Sequence, residues 1–314
     1  MSKARQLREL IAGDELIVSP GIYDGYSLRL VERSGFKTAC TSGAAISNAL
    51  LVVADTGVMS LKENVDHCRN LARSVSIPLT ADADAGYGNP VKVHYTVQAF
   101  EEAGVAGVNI EDQVDPKRCG HMPGKEVVAL EEMVKKIEAA CMARRDDDFV
   151  IIARTDSLAL EGIEGATARA RAYAEAGADM IFPDAVHTEE EIARLVDAAR
   201  IPVTINMGFG IRSRPTTPLI PLPRLRALGV KRISLPRMLP AAAIKAMQSA
   251  LQVMLTVVET GEPVDRPDLL VGIEDIMALM DYDRVREMEK CLLTVESYDS
   301  KFGRSVSPAG RRPT

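Results

Sequence analysis

Eight short runs of apolar and β-branched residues, each followed by a stretch of helical period, recur through the first three quarters of the chain. They are ELIVSPG from Glu15, TACTSG from Thr38, LTADAD from Leu79, GVNIED from Gly107, FVIIARTD from Phe149, MIFPDA from Met180, PVTINM from Pro202 and RISLP from Arg232. Strand alternating with helix calls for a parallel sheet, because parallel neighbours are joined by crossover connections. Eight such units in roughly 240 residues match a (β/α)8 barrel in count and size. A doubly wound sheet has fewer strands and often an early glycine-rich phosphate loop.

The punctuation supports this reading. Gly35, Gly104, Gly177 and Gly229 each stand just before a strand, where a helix ends in the left-handed conformation that glycine adopts without a Cβ clash. Ser60 with Glu63, Asn89 followed by Pro90, and Thr188 with Glu191 read as helix starts. Residues 1–240 are expected to form the barrel with an N-terminal helix, and 241–314 a closing helix, from Pro240 to about Glu259, with a helical extension. The extension contains one amphipathic stretch, DIMALMDYDRVREMEKCL, whose Met- and Leu-bearing face must bury on its own barrel or on a neighbouring subunit. The end, VSPAGRRPT, is expected to fray.

A formal charge of −6 without a long basic run disfavours nucleic acid and anionic membrane as partners. The longest clean apolar run, Ala49–Ala54, is far short of the ~18 residues of a spanning helix, so no membrane segment is expected. MSKARQLRELIAG lacks the features of a secretory signal, and five cysteines without a CxxC pair fit a reducing compartment; the expectation is a folded start and a cytoplasmic protein.

In such a barrel the chemistry gathers where the strands end. Those ends carry Ser42 after the second, Asp82 and Asp84 on the third, Glu111 and Asp112 on the fourth, Arg154 and Asp156 on the fifth, Asp184 on the sixth and Asn206 on the seventh. Asp82 and Asp84, two apart on a strand, are expected to point to one side. With Glu111 from the next strand they suit a hard dication, most naturally Mg²⁺. Strand-end acids also serve as helix caps and ion-pair partners, and it is the clustering of three that favours the metal. Arg154 suits bidentate binding of a substrate carboxylate, or pairing with Asp156 or Asp184.

Two long connections, one carrying Asp55 and one from Gln113 to about Val128, suggest a lid. The second reads DQVDPKRCGHMPGK, with Cys119 among Lys117, Arg118 and His121. Neighbouring cations favour a thiolate there, and glycines at 120 and 124 let the segment move. By spacing alone an incidental cysteine in an exposed basic loop is slightly favoured. One cysteine and one histidine fall short of a zinc site.

DADAGYGN (Asp82–Asn89), EDQVDPKRCGH (Glu111–His121) and ARTD (Ala153–Asp156), in this order and spacing, resemble the isocitrate lyase/phosphoenolpyruvate mutase superfamily. The resemblance covers about residues 5 to 290 and is nearest to the short methylisocitrate lyase, 2,3-dimethylmalate lyase and carboxyphosphonoenolpyruvate mutase branch. It implies a Mg²⁺-dependent enzyme, with Mn²⁺ a possible substitute, in a homotetramer whose last helix is swapped between subunits. It implies Asp82, Asp84 and Glu111 as metal ligands, partly through water, and Ser42, Gly43 and Asp55 around a 2-oxo acid. Arg154 and Asn206 would bind carboxylate, with Asp184 beside them in the substrate site. Cys119 would protonate the carbanionic product of retro-aldol cleavage, with Lys117, Gly120 and His121 shaping the closed loop.

The implied activity is a carbon–carbon lyase acting on a small 2-hydroxy di- or tricarboxylate, such as 2-methylisocitrate or 2,3-dimethylmalate, to give pyruvate. Phosphorus–carbon mutase chemistry and oxaloacetate cleavage or decarboxylation are the alternatives. The chain departs from the family pattern at Cys40, where related lyases often carry tyrosine, which leaves the base open. It departs again at Asp184, usually glutamate, and in NMGFGIRSRPTTP, which lacks an expected acid and adds Arg212 and Arg214.

Overall fold

The structure is a computed structural model that describes residues 1–120, 124–210 and 217–303. Two compact units divide the chain, Met1–Lys245 and Ala246–Thr314. In the first, eight parallel strands close into a barrel in sequence order: β1 (Ile17–Ile22), β2 (Ala39–Thr41), β3 (Leu79–Asp82), β4 (Gly107–Glu111), β5 (Val150–Thr155), β6 (Met180–Pro183), β7 (Val203–Asn206) and β8 (Val230–Leu235). β8 returns to β1 with Arg232 opposite Ile17 and Leu235 opposite Pro20. The (β/α)8 expectation is met.

Helices α1 (Lys3–Ala12), α2 (Gly25–Arg33), α3 (Gly43–Ile46), α4 (Leu61–Ala72), α5 (Pro90–Glu102), α6 (Leu130–Ala143), α7 (Leu158–Glu175), α8 (Glu189–Ala199) and α9 (Leu222–Ala227) connect the strands or precede them. Local chemistry sets their ends. Ser60–Glu63 and Thr188–Glu191 form capping boxes, and Asn89 caps α5 ahead of Pro90. Gly35, Gly104, Gly177 and Gly229 all have positive φ before a strand.

Along β5, Ile151 and Ala153 join the core shared with the outer helices, while Val150 and Ile152 pack in a second cluster with Ala106, Met180, Phe182 and Leu7 of α1. Side chains two apart share a face, so Arg154 continues the inner row to the end of the strand where the site forms. The barrel interior holds one charge that the pattern did not announce. Arg232 of β8 is 1 % exposed and donates to Thr80 Oγ1 at 2.7 Å and Ser19 Oγ at 3.2 Å. Branched apolar residues usually fill that space.

α10 (Met238–Thr260) runs from the first unit into the second, which adds α11 (Ile273–Leu279), α12 (Tyr282–Leu292) and α13 (Val295–Phe302). The stretch expected as one amphipathic helix is two. Asp281, in the left-handed region at φ 62°, separates α11 from α12. A second correction concerns α10, which by length and composition is apolar enough to cross a membrane. Lys245, Gln248 and Gln252 interrupt its apolar run, so no continuous stretch reveals it. Ile244, Met247, Leu251, Met254, Leu255 and Val258 along it are 54–69 % exposed. The frayed end falls outside the described residues from 304 onward.

Candidate active site

The strand ends open into one cavity of about 60 Å³, against the roughly 10–15 Å³ that one water needs. Ser42, Asp55, Asp82, Lys117, Cys119 and Gly120 line it, as do Arg154, Asp184 and Asn206. Of the other expected residues, Gly43, Asp84 and Glu111 each lie against a lining residue, Asp82, Lys117 and Arg154 in turn, and His121 lies outside the described residues, as do Arg212 and Arg214.

The acids converge, but not for the expected reason. β3 ends at Asp82, and Asp84 sits in the following turn with φ 47°, so alternation along a strand does not orient it. A left-handed non-glycine residue is uncommon and such strain gathers at functional positions. The turn is held by the Asp84 N–H donating to Asp82 Oδ1 at 3.2 Å, and Gly43 N–H donates to Asp82 Oδ2 at 3.2 Å. A Cβ at Gly43 would lie 2.8 Å from Asp82 Oδ2 and 3.3 Å from Asp84 Oδ1, so both carboxylates crowd this glycine.

Burial pushes the Asp84 carboxyl up to about 7, although Lys117 pulls it down. Burial also drives Glu111 well above its usual range against the pull of Arg154. Glu111 Oε2 is 3.2 Å from Arg154 Nε, while its buried Oε1 has no hydrogen-bond partner. Carboxylates forced toward protonation, one with an orphaned oxygen, are a donor set short of positive charge. All are hard oxygens, which fits Mg²⁺. Among the described residues no three His, Cys, Asp or Glu side chains form a cage by themselves. Mg²⁺ suits such a set because it keeps several of its waters.

Lys117 supplies the local cation. It is 4 % exposed, 2.5 Å from Asp55 Oδ1 and 3.0 Å from Asp84 Oδ1. Burial alone would lower its pKa, but Asp84, Glu111, Asp82 and Asp55 outweigh that and hold the ammonium protonated. The connection from Gln113 to Val128, expected as a lid, is fastened at its root, where Val114 N–H donates to Glu126 O and Val128 N–H to Asp112 O, both at 2.9 Å. At its tip Cys119 N–H donates to Asp55 O at 3.1 Å, and the thiol is buried rather than exposed on a basic loop.

Arg154 pairs with both candidate acids. Nε and Nη2 meet Asp156 at 2.8 and 3.1 Å, and Nη2 meets Asp184 at 3.0 Å; among the described residues Nη1 has no such partner. Burial would raise Asp156, but Arg154 and Lys125 overcome it and hold the carboxyl down at about 2. Asp184 Oδ1 accepts from Asn206 Nδ2 at 3.1 Å. Asp112 belongs to the scaffold, accepting from Thr155, Tyr173 and Arg169. Ser42 caps α3, its Oγ accepting from Ala45 N–H at 3.3 Å, while lining the cavity. Cys40 makes a poor base: burial pushes its thiol up, and Sγ lies 3.6 Å from Ser19 O and 3.7 Å from Pro20 O.

Gly120 is the closest fit in the lid. A Cβ there would fall 1.9 Å from Asp184 Oδ2 and 2.5 Å from Arg154 Nη2. Gly120→Ala is therefore expected to keep the wild-type melting temperature and to lower kcat/KM by about 10²-fold, the cost of a displacement near 1 Å. Wild-type kcat/KM in that variant would mean that closure does not need this contact.

A family model described as phosphoenolpyruvate phosphomutase matches residues 7–255. The chain belongs to the phosphoenolpyruvate phosphomutase family. Within this phosphomutase family, the 2-methylisocitrate lyase of Aeropyrum pernix is 39% identical over 282 residues, covering 88% of each chain. The 2,3-dimethylmalate lyase of Eubacterium barkeri is 36% identical, over 92% of this chain and 98% of that one. Oxaloacetate acetylhydrolase, solved with 3,3-difluorooxalacetate, superposes at a TM-score of 0.84 with 32% identity, covering 92% and 97%. Phosphonopyruvate hydrolase, solved with oxalate and Mg²⁺, does so at 0.81 with 29% identity, covering 94% and 100%.

Sequence reasoning stopped one strand early. Ser234 and Arg237, at the end of β8, also line the cavity, and the same reading of strand ends applied to RISLPR would have found them.

Proposed function

We propose that the chain is a Mg²⁺-dependent carbon–carbon lyase that cleaves a small 2-hydroxy di- or tricarboxylate to pyruvate and a second carboxylate. 2-Methylisocitrate and 2,3-dimethylmalate are the substrate types. The observation that carries this reading is the buried Cys119 thiol, which shares one cavity with Asp82 and Arg154. Cleavage beside a carboxylate leaves a carbanionic carbon, and a lid thiol can protonate it before water enters.

Asp82, Asp84 and Glu111 would hold Mg²⁺, partly through water, with Mn²⁺ a substitute. When bound, the ion supplies Lewis-acid stabilisation of charge growing on substrate oxygens. Arg154, through Nη1, and Asn206 take a substrate carboxylate; Ser42 and Gly43 adjoin the 2-oxo acid part. Asp184 holds Arg154 and Asn206 in register. Asp55 draws Lys117 into the mouth and anchors the Cys119 backbone. Gly120 closes against Asp184 and Arg154, Cys119 gives its proton to the product carbon, and the family resemblance alone assigns His121 a part in the same loop.

The names of the relatives support this chemistry, and the small cavity suits a small carboxylate. The likeness to oxaloacetate acetylhydrolase favours oxaloacetate cleavage as the second reading. The test is pyruvate release with Mg²⁺ across 2-methylisocitrate, 2,3-dimethylmalate and oxaloacetate. Pyruvate from a hydroxy acid is the expected result. Pyruvate from oxaloacetate alone would indicate decarboxylation; oxalate and acetate from oxaloacetate, assayed alongside, would favour the second reading, and silence in both assays would bring phosphonate chemistry forward.

The exposed apolar residues of α10 are read as the face that packs on another copy in a cytoplasmic homotetramer, with the last helices swapped, rather than as a membrane span. Family similarity that extends to residue 255, well into α10, supports this. A monomer by light scattering would overturn it.

A further inference from the structure

Of the three cations that line the cavity among the described residues, two are spoken for: Lys117 by Asp55 and Asp84, Arg154 by Glu111, Asp156 and Asp184. The third, Arg237, follows β8 and has no carboxylate within ion-pair distance among the described residues. Its Nη2 lies 2.7 Å from Cys119 Sγ. The two residues come from the loops after β8 and β4. A guanidinium is permanently charged and weakly hydrated, which makes it an effective partner for a sulfur anion in a dry site.

We infer that Arg237 is a positioning residue that aims the Cys119 sulfur into the cavity and stabilises it as the thiolate left behind after proton donation. The inference rests on the reading of Cys119 as the proton donor. A buried thiol on its own is a reluctant acid, because the thiolate it must become is poorly solvated. With Arg237 against the sulfur, the S–H bond breaks, the carbanion's electron pair forms the new C–H bond, and the thiolate finds its counter-charge already in place. It regains a proton from solvent once the lid opens.

The other charged groups lining the cavity around the thiol are Asp55, Lys117, Asp82, Arg154 and Asp184. His121, two residues further along the lid, lies outside the described residues. The acids outnumber Lys117 and Arg154 and oppose a thiolate, while Arg237 favours it from direct contact with the sulfur, and it is this contact that the test isolates.

The test is a pH titration of ultraviolet thiolate absorbance, taken as the difference between each protein and its Cys119→Ser counterpart. Wild type, Arg237→Gln and Arg237→Lys are compared without substrate. The expected result is a midpoint raised by about one unit or more in Arg237→Gln, roughly a tenfold change in the thiol–thiolate equilibrium. Partial recovery is expected in Arg237→Lys, which keeps the charge and loses the planar fork. An identical midpoint in all three proteins would overturn the inference, whether or not KM had risen. Because no substrate is present, a shifted midpoint beside silence in the pyruvate assay would sink only the lyase reading. An unshifted midpoint beside pyruvate release would sink only this one.

Discussion

EDTA treatment is expected to abolish turnover, and Mg²⁺ to restore it. Asp82, Asp84 and Glu111 converge on one side of the mouth with Lys117 as the cation among them. Burial has already pushed Asp84 up to about 7 and Glu111 well above its usual range, so the acids are held together at an electrostatic cost. Negative charge building on a cleaving substrate would raise that cost further unless a dication offsets both. The same loading should be visible without substrate: a ligand that binds only the folded chain stabilises it by about 2.7 kcal/mol at one hundred times its Kd. A rise in melting temperature with Mg²⁺, lost in Asp82→Asn, is the matching observation. Full turnover in a preparation verified to be metal-free would remove these residues from metal binding.

Cys119→Ser is expected to lower kcat by about 10²-fold, the lower range for a general acid or base, with KM little changed. The replacement is nearly isosteric, so the lid should still close on Asp55 and the cavity should keep its shape. What changes is acidity: a serine hydroxyl is far more reluctant than a thiol to become an anion, whatever cation stands beside it. Loss confined to kcat would mark an interaction made in the transition state. Unchanged kcat would mean the product carbon takes its proton from elsewhere.

Local chemistry was the legible part of this molecule. The capping boxes at Ser60 and Thr188, the positive-φ glycines before the strands and the apolar runs of β1–β8 act within a few residues, and they determine element type and order. From order came the barrel, and from the barrel the rule that strand ends carry the chemistry. The less legible features depend on closure. Arg232 reads as a surface charge until β8 is laid against β1 and its guanidinium meets Ser19 and Thr80, more than 150 positions away. Arg237 is legible as a strand-end residue after RISLP, but its contact with Cys119, 118 positions away, is not. Asp84 converges with Asp82 through a left-handed turn, a conformation no periodicity encodes. The break at Asp281 was hidden because apolar positions continue unbroken across it.

Lys117 belongs to the same connection after β4 as Cys119. Closure of that connection as a lid would carry a unit of positive charge out of water and into an acidic hollow, and the work involved would depend on the valence of whatever already occupied the hollow. A fully ionised polyacid would draw the gate shut, whereas its singly protonated form, of almost the same shape, would hold it less firmly. Such a door would discriminate by ionisation as well as by size, before the thiol it carries had anything to react with.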